Sequence, residues 1–144
     1  MERSPHTFRC VVVAPSGKLL DCRASSAIFP AHDGQVGILA NHMPMFCLLG
    51  LGIMQIRAQC DGGTEGLVYL LVDGGFAVVC QNLLKVVSYD VVAPTVIGKR
   101  VADQCLAALD KRLASAALDQ PERQHLAKKV TLIKELLRIC DLEH

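Results

Sequence analysis

The sequence has no excess of charge of either sign. Its 144 residues include 15 Lys and Arg against 14 Asp and Glu, a formal net charge of +1. Proteins that bind nucleic acids or acidic lipid surfaces generally carry a basic excess, so this balance argues against a general nucleic-acid binder. Hydrophobic residues make up 51% of the chain, which excludes disorder and indicates that apolar surface is hidden against a partner.

Long hydrophobic runs are also missing. The most apolar stretch, Met45 to Met54, is about half the length needed to cross a bilayer, and it contains two glycines. Residues Met1 to Pro5 lack the apolar core of a secretory signal, so the chain is expected to stay in the compartment where it is made. The sequence therefore predicts no transmembrane helix.

The seven cysteines include no C-x-x-C pair. Their odd number and their apolar neighbours favour small buried side chains in a reducing compartment over metal ligands or a redox pair. They are Cys10, Cys22, Cys47, Cys60, Cys80, Cys105 and Cys140.

Between Thr7 and Val87, short β-branched runs alternate with turn residues, a pattern typical of an antiparallel β-sandwich or small barrel. Gly or Asn in each turn supplies the positive φ that tight hairpins need. The turns are Pro15–Gly17, Asp61–Gly63, Asp73–Gly75 and Gln81–Asn82. The eight predicted strands are Phe8–Ala14, Lys18–Arg23, Ala24–Phe29, Met45–Leu49, Gly52–Gln59, Leu67–Val72, Phe76–Gln81 and Leu83–Val87.

After Pro94 the hydrophobic period becomes helical, which predicts an antiparallel two-helix hairpin. Asp119 and Glu122 form a capping signal that starts the second helix. The apolar positions are Val101, Cys105, Leu106, Leu109, Leu113 and Ala116 in the first helix, and Leu126, Val130, Ile133, Leu137 and Cys140 in the second. We predict a β domain over residues 1–92 and a hairpin over residues 93–144, with 142–144 either native or a tag remnant.

Catalytic patterns are scarce. No serine lies in a G-x-S-x-G turn, and the paired glycines fall short of a nucleotide-binding fingerprint. A metal-dependent enzyme using His32, Asp33 and His42 is the weakest alternative, because the spacing of the histidines matches no fixed ligand geometry. We therefore expect no catalytic residue, cofactor or metal.

The segment Phe29–Pro44 is too apolar for an ordinary solvent loop, and its glycines and prolines argue against a regular element. Two interpretations remain open on the residues alone: a loop folded over the end of the sandwich, or a binding loop. In a stand-alone ligand-binding module, this loop would cover a pocket.

This segment resembles the signature of the epsilon subunit of F-type ATP synthase, which is called delta in mitochondria. The residues in register are Pro30, Gly34, Gly37, Ile38, Leu39, His42 and Pro44. The resemblance continues at Val72–Ala77, which is similar to the Val-x-Gly-Gly-Phe hairpin of the family, and at Asn82–Val87, which is similar to the next strand.

The resemblance implies a non-catalytic rotor subunit that packs on the gamma subunit and rests on the membrane c-ring. It implies a peripheral location on the cytoplasmic face of a bacterial inner membrane, or on the matrix or stroma side in an organelle. The loop around His42 would face gamma and Ala31–Gly37 would approach the ring, so the expected interface residues are Pro30, His32, Asp33, Gly34, Gln35, Gly37, Ile38, Leu39, His42 and Pro44. Gln35 stands where members often carry an acid, so docking should depend weakly on salt.

The resemblance also implies that the hairpin can extend into the catalytic head, where it would contact the alpha and beta subunits and block ATP hydrolysis through a basic face toward acidic segments of the beta subunits. The candidate residues are Arg123, Lys128, Lys129, Lys134 and Arg138. An ordinary solvated helix surface is the alternative.

Some members bind ATP with an Ile/Leu-Asp-x-x-Arg-Ala motif, whereas this chain has Leu109, Asp110, Arg112 and Ala114 with the arginine one place early. That shift rotates the side chain by about 100° around the helix. We therefore predict no tight ATP binding at this motif.

Overall fold

The computed structural model describes residues 6–59, 65–94, 98–115 and 118–142. Cys60, the whole predicted turn Asp61–Gly63, and Ala116 lie outside these ranges. The elements are β1 (Phe8–Ala14), β2 (Gly17–Ala31), β3 (Gly34–Leu39), β4 (Met45–Leu48), β5 (Leu51–Gln59), β6 (Glu65–Asp73), β7 (Phe76–Cys80), β8 (Leu83–Val87), β9 (Val91–Val92), α1 (Lys99–Leu113) and α2 (Gln120–Leu142).

The long strand β2 joins the two halves of the sheet. Its first half pairs with β1, with Cys10 opposite Cys22, and its second half pairs with both β3 and β5 around Ala27. The register toward β5 shifts between Ala24 and Ser26, and such a bulge bends and twists a strand. The strand order is β4-β7-β8-β1-β2-β5-β6-β9. β3 is not in this series and pairs with the second half of β2, on the edge opposite β5.

Four details differ from the sequence prediction. The two strands predicted over Lys18–Phe29 are one strand, β2, because an extended chain can change partners without a turn. Gly34–Leu39 is a strand rather than an irregular loop, since Gly34, at φ 142°, closes a tight turn after β2. The short β9 was missed, and β1 pairs with β8 in parallel, so the sheet is not wholly antiparallel.

One core lies between the strands and receives side chains from both halves of the sheet. Its largest fully buried members include Phe29, Met54, Ile56, Leu70 and Leu84. Alternate positions of β5 point into this core, as expected for a strand with two differently covered faces. The predicted β-sandwich followed by two helices is confirmed.

The helical hairpin packs on the outer face of β5, β6 and β9. There a second cluster joins Leu71 and Val92 of the strands to Ile133 and Leu136 of α2. The predicted apolar stripe of α2 is confirmed, because all five of its positions are buried. In α1 the stripe is only partly buried. The prediction that Val101 belongs to the buried stripe is wrong, since this residue is 46% exposed.

The junction of the hairpin is fixed by polar contacts. The carboxylate of Asp119 accepts the Glu122 amide at 2.9 Å, which confirms the predicted helix start. The guanidinium of Arg123 donates to the carbonyls of Leu113 and Ser115 at 2.7 and 2.8 Å. These contacts satisfy carbonyl groups at the end of α1.

Sandwich residues take part in both hydrophobic clusters, and the hairpin packs on one of them. The division into a β domain over residues 1–92 and a hairpin over residues 93–144 therefore stays a prediction.

Among the residues that the structure describes, no helix is both long and apolar enough to cross a membrane.

Replacing Gly75 with Ala should destabilise the sandwich by more than about 3 kcal/mol. Gly75 has φ 106°, and an added Cβ would lie 2.0 Å from the carbonyl oxygen of Val87. Gly37→Ala is the matched control, because an added Cβ there meets nothing within 4 Å. Urea unfolding of the two variants measures the difference, and equal stabilities would contradict this account of the β6–β7 turn.

Candidate functional site

The β2–β3 hairpin carries most of the predicted interface residues. His32 and Asp33 lie exposed in its turn, and Gln35 and Gly37 are exposed along β3. Gly34 and Pro44 are exposed as well, and His42 is half-buried. Pro30 and Ile38, in contrast, are buried. In this chain they build the hairpin rather than offer a surface.

His42 lies at the opposite end of β3 from His32 and Asp33. The six residues of β3 separate the two ends by roughly 20 Å, so the structure does not bring the proposed metal trio together. Among the described residues no group of three His, Cys, Asp or Glu side chains could hold a metal ion. The Nδ1 atom of His42 instead lies 2.8 Å from the carbonyl oxygen of Met43.

The segment predicted as a pocket-covering loop is mostly strand and tight turn. The crevice beside His42, lined by Phe8, Ile38 and Leu84 among others, has essentially no free volume. This part of the structure therefore offers no chamber for a small ligand.

Four large apolar side chains between the end of β3 and the end of β4 are exposed. Leu39 is 66% exposed, Met43 72%, Phe46 63% and Leu48 57%. We call these four residues the β3–β4 surface. Phe46 is supported from behind by Phe76, since their rings stack with centroids 5.6 Å apart. Large exposed apolar side chains grouped in this way mark contact sites for other proteins.

Sequence reasoning placed Leu39 in the interface and Met43 in the candidate binding loop, but missed Phe46 and Leu48. A signal was available in the run from Met45 to Leu48, where every residue is apolar. Met45 and Cys47 pack against the core while Phe46 and Leu48 face outward. A strand whose side chains are apolar on both faces is expected to be buried on both faces, within the chain or against a partner.

A second site joins the sandwich to α2. The ammonium of Lys129 donates to the carboxylates of Asp73, at 2.8 Å, and of Asp90. The ring Nε2 of His125 lies 3.0 Å from the Asp73 carboxylate. We call Lys129, Asp73 and Asp90 the hairpin triad. The side chain of Lys129 is only 8% exposed and that of Asp73 18%, so their ion pair has little competition from water, whereas the Asp90 side chain is 48% exposed.

Ser88 holds the two acids of the triad in place. This serine is buried, and its hydroxyl accepts the Asp73 amide at 3.2 Å. The same hydroxyl lies 2.8 and 2.9 Å from the carbonyl oxygens of Gly74 and Asp90, to which its one proton can be donated in turn. A further bond joins the Asp73 amide to the Asp90 carbonyl at 3.1 Å.

The triad sets the pKa of its members. Burial acts to raise the pKa of Asp73, but hydrogen bonds from Lys129 and His125 outweigh it, and the pKa lies below its ordinary value. Burial acts to lower the pKa of Lys129, but hydrogen bonds to Asp73 and Asp90 outweigh it, and the pKa is raised. Both groups are therefore held in their charged forms.

The five predicted basic residues of α2 do not form one solvent-facing surface. Lys129 belongs to the triad, Arg123 closes the end of α1, and Arg138 pairs with Glu135. Lys128 and Lys134 are exposed. Their predicted role toward an acidic partner stays a prediction, and in the docked hairpin it could involve only part of the set.

The degenerate nucleotide motif is also dispersed. Leu109 packs against the second cluster, whereas Asp110 and Ala114 are exposed. Arg112 lines an open cavity of about 470 Å³. The other lining residues are Asp73, Pro121, Glu122, His125, Leu126 and Lys129.

The chain is thus a β-sandwich with a two-helix hairpin docked on one face, a fold class that does not by itself define a function. Residues 7–94 match the family model for the β-sandwich domain of the ATP synthase delta/epsilon chain. The chain belongs to this ATP synthase delta/epsilon family. The family resemblance found in the sequence is thereby confirmed.

Two relatives illustrate the similarity. The chain is 32% identical over 117 residues to the chloroplastic ATP synthase epsilon chain of Tupiella akineta, covering 81% of this chain and 85% of that one. It is also 32% identical over 135 residues to the ATP synthase epsilon chain of Desulfitobacterium hafniense, covering 92% and 94%.

Two solved structures share the fold. A chain of the Euglena gracilis mitochondrial ATP synthase OSCP/F1/c-ring structure aligns with a TM-score of 0.57 at 17% identity, covering 98% of this chain and 83% of that chain. A chain of the Tetrahymena thermophila mitochondrial ATP synthase central stalk and c-ring structure aligns with a TM-score of 0.55 at 15% identity, covering 94% and 98%.

Acid should release the hairpin through Asp73. Because the docked state lowers the pKa of Asp73, its contribution to docking is complete above the ordinary value near pH 4 and is lost as pH falls through the lowered value. Lys129, Asp90 and His125 face Asp73, and Arg112 and Glu122 line the adjoining cavity. Methyl NMR of Val92 and Leu136 should report constant docking from about pH 5 to 9 and loss below about pH 4.

Asp73→Asn is the control for this experiment, since it removes the titrating group and should flatten the acid transition. Release of the hairpin already between pH 5 and 6 would contradict the role of Asp73.

Proposed function

We propose that this chain is a central-stalk subunit of a proton-translocating F-type ATP synthase. It transmits rotation of the c-ring to the catalytic head through gamma, has no active site of its own, and lies at the membrane as a peripheral protein. Family membership supports this proposal, and the observation that carries it is the uncovered β3–β4 surface. The chain covers the outer face of β5 and β6 with its own hairpin but leaves this second apolar surface bare.

The β3–β4 surface is proposed as the gamma contact. It presents one aromatic and three aliphatic side chains, each of which would stabilise a complex by roughly 1.5–3 kcal/mol if fully buried. Phe46 is the expected anchor, because its ring is already ordered against Phe76 and an ordered aromatic loses little conformational entropy on binding.

The turn of the β2–β3 hairpin is proposed as the c-ring contact. His32 and Asp33 of the turn and Gln35 near the start of β3 are exposed and polar, which suits the polar loops expected on a membrane ring. The turn lies roughly 20 Å from the Met43 loop along β3. One hairpin can therefore reach two partners, with an apolar end toward gamma and a polar end toward the ring.

The bacterial and chloroplastic relatives lead us to propose a location on the cytoplasmic or stromal side of an energy-coupling membrane. In the docked position the hairpin is held on the sandwich. We propose that an extended hairpin inhibits ATP hydrolysis by placing its basic residues against acidic segments of the alpha and beta subunits.

Phe46→Ser should weaken the complex with gamma by about 30-fold or more, as expected when an interface anchor is lost. Phe46 is exposed, so the variant should fold normally. Val101→Ser is the control, because Val101 is an exposed apolar residue on α1 outside the proposed surface. Size-exclusion co-elution with gamma measures both, and equal losses would contradict the assignment of the surface.

Docking on the rotor should change little with salt. Gln35 is a neutral exposed residue of β3, so no ion pair at this position can be screened. Gln35→Glu should introduce a measurable salt dependence of binding to the assembled rotor, while Gln104→Glu, at an exposed position of α1, should not. Strong salt dependence of the unaltered chain would contradict a mainly apolar contact.

ATP should not bind tightly to the isolated chain. Arg112 faces a cavity at the start of α2, whereas Leu109 packs inward and Asp110 is exposed, so the motif does not converge on one ligand. Isothermal titration with ATP should show no binding at micromolar concentrations. Micromolar affinity that is lost in Arg112→Ala would contradict this prediction.

A further inference from the structure

The sandwich holds a preformed site for one ammonium group. Asp73 ends β6 and Asp90 precedes β9, yet both carboxylates contact the same Lys129. Their spacing is fixed by Ser88 and by the bond from the Asp73 amide to the Asp90 carbonyl. All of these holding contacts lie within the sandwich, so they do not depend on the hairpin.

Removal of α2 would leave the two carboxylates near each other without their lysine. Like charges at short distance disfavour the state that brings them together, so only water and dissolved ions would offset their repulsion once the lysine has left. The two carboxylates therefore favour the docked hairpin through their ion pairs with one residue of α2, Lys129. Lysine is rarely buried to this extent unless it is paired.

Lys129 is also the middle member of the basic residues proposed to meet the catalytic subunits. Lys128 and Lys134 of this set are exposed in the docked hairpin, but Lys129 is not. An acidic surface that takes up α2 gains this third charge only when the triad separates. Lys129 can therefore pair with the Asp73–Asp90 site or with such a surface, but not with both at the same time.

We propose that Lys129 is exchanged between the Asp73–Asp90 site of the sandwich and an acidic surface of the catalytic subunits, so that docking and inhibition compete for one side chain. The inference rests on the proposed inhibitory function for its second half. Its first half, the holding site, concerns the isolated chain and can be tested there.

The experiment compares three variants. Lys129→Gln removes the shared cation, Asp90→Asn weakens the holding site but keeps the cation, and Lys128→Gln is the control on the neighbouring exposed lysine. Hydrogen exchange of α2 amides in the isolated chain reports docking. Inhibition of ATP hydrolysis in the complete complex, assembled with each variant, reports the partner contact.

In the isolated chain, Lys129→Gln should speed exchange of α2 by about tenfold or more, because it leaves the mostly buried Asp73 carboxylate unpaired. Asp90→Asn should speed exchange by about threefold or more, a smaller effect because the Asp90 side chain is 48% exposed, and Lys128→Gln by less than about twofold. In the complex, Asp90→Asn should increase inhibition several-fold, whereas Lys129→Gln should not, although both undock the hairpin. Exchange of the β1 and β8 amides should stay unchanged, which shows that the sandwich is folded.

Equal exchange in Lys129→Gln and Lys128→Gln would overturn the holding site. Inhibition by Lys129→Gln as strong as that by Asp90→Asn would overturn the exchange of Lys129 between partners. If the hairpin undocks as expected but neither these variants nor removal of residues 95–142 changes hydrolysis, the proposed inhibitory function fails while the holding site stands.

Discussion

Burial on both faces of β6 is the constraint on which the rest of the structure depends. The consecutive residues Leu70, Leu71 and Val72 are all buried, although neighbouring side chains of a strand point to opposite faces. The inner face is covered by the other strands and the outer face by α2. The hairpin is thus part of the hydrophobic core of this chain, and any movement of the hairpin would expose apolar surface.

Polar contacts decide where the hairpin docks. Apolar burial has little directionality, whereas the ion pairs of Lys129 with Asp73 and Asp90 require one register of α2 on the sandwich. The turn that supplies Asp73 also contains Gly75, whose positive φ lets the backbone pass close to Val87. The Asp73–Gly75 turn therefore shapes the sandwich and also positions the Asp73 carboxylate that pairs with Lys129 of α2.

The sequence predicted what depends on local periodicity. The stripe of α2, its start at Asp119 and most strands follow from spacing alone. Continuity of β2 and the parallel pairing of β1 with β8 depend on contacts between distant residues, which spacing does not contain. Lys129 was assigned to a solvent-facing surface because its partners lie 39 and 56 residues away. Phe46 and Leu48 were missed because a strand that is apolar on both faces does not itself show whether its outer face is covered within the chain or by a partner.

The central claim is that gamma covers the β3–β4 surface while the hairpin continues to cover β6. Hydrogen exchange of the chain alone and in complex with gamma from the same organism tests it most directly. The account predicts new protection of the Met45–Leu48 amides and of the loop at Met43, with no change in α1. Protection confined to the helices, or none anywhere in the chain, would contradict it.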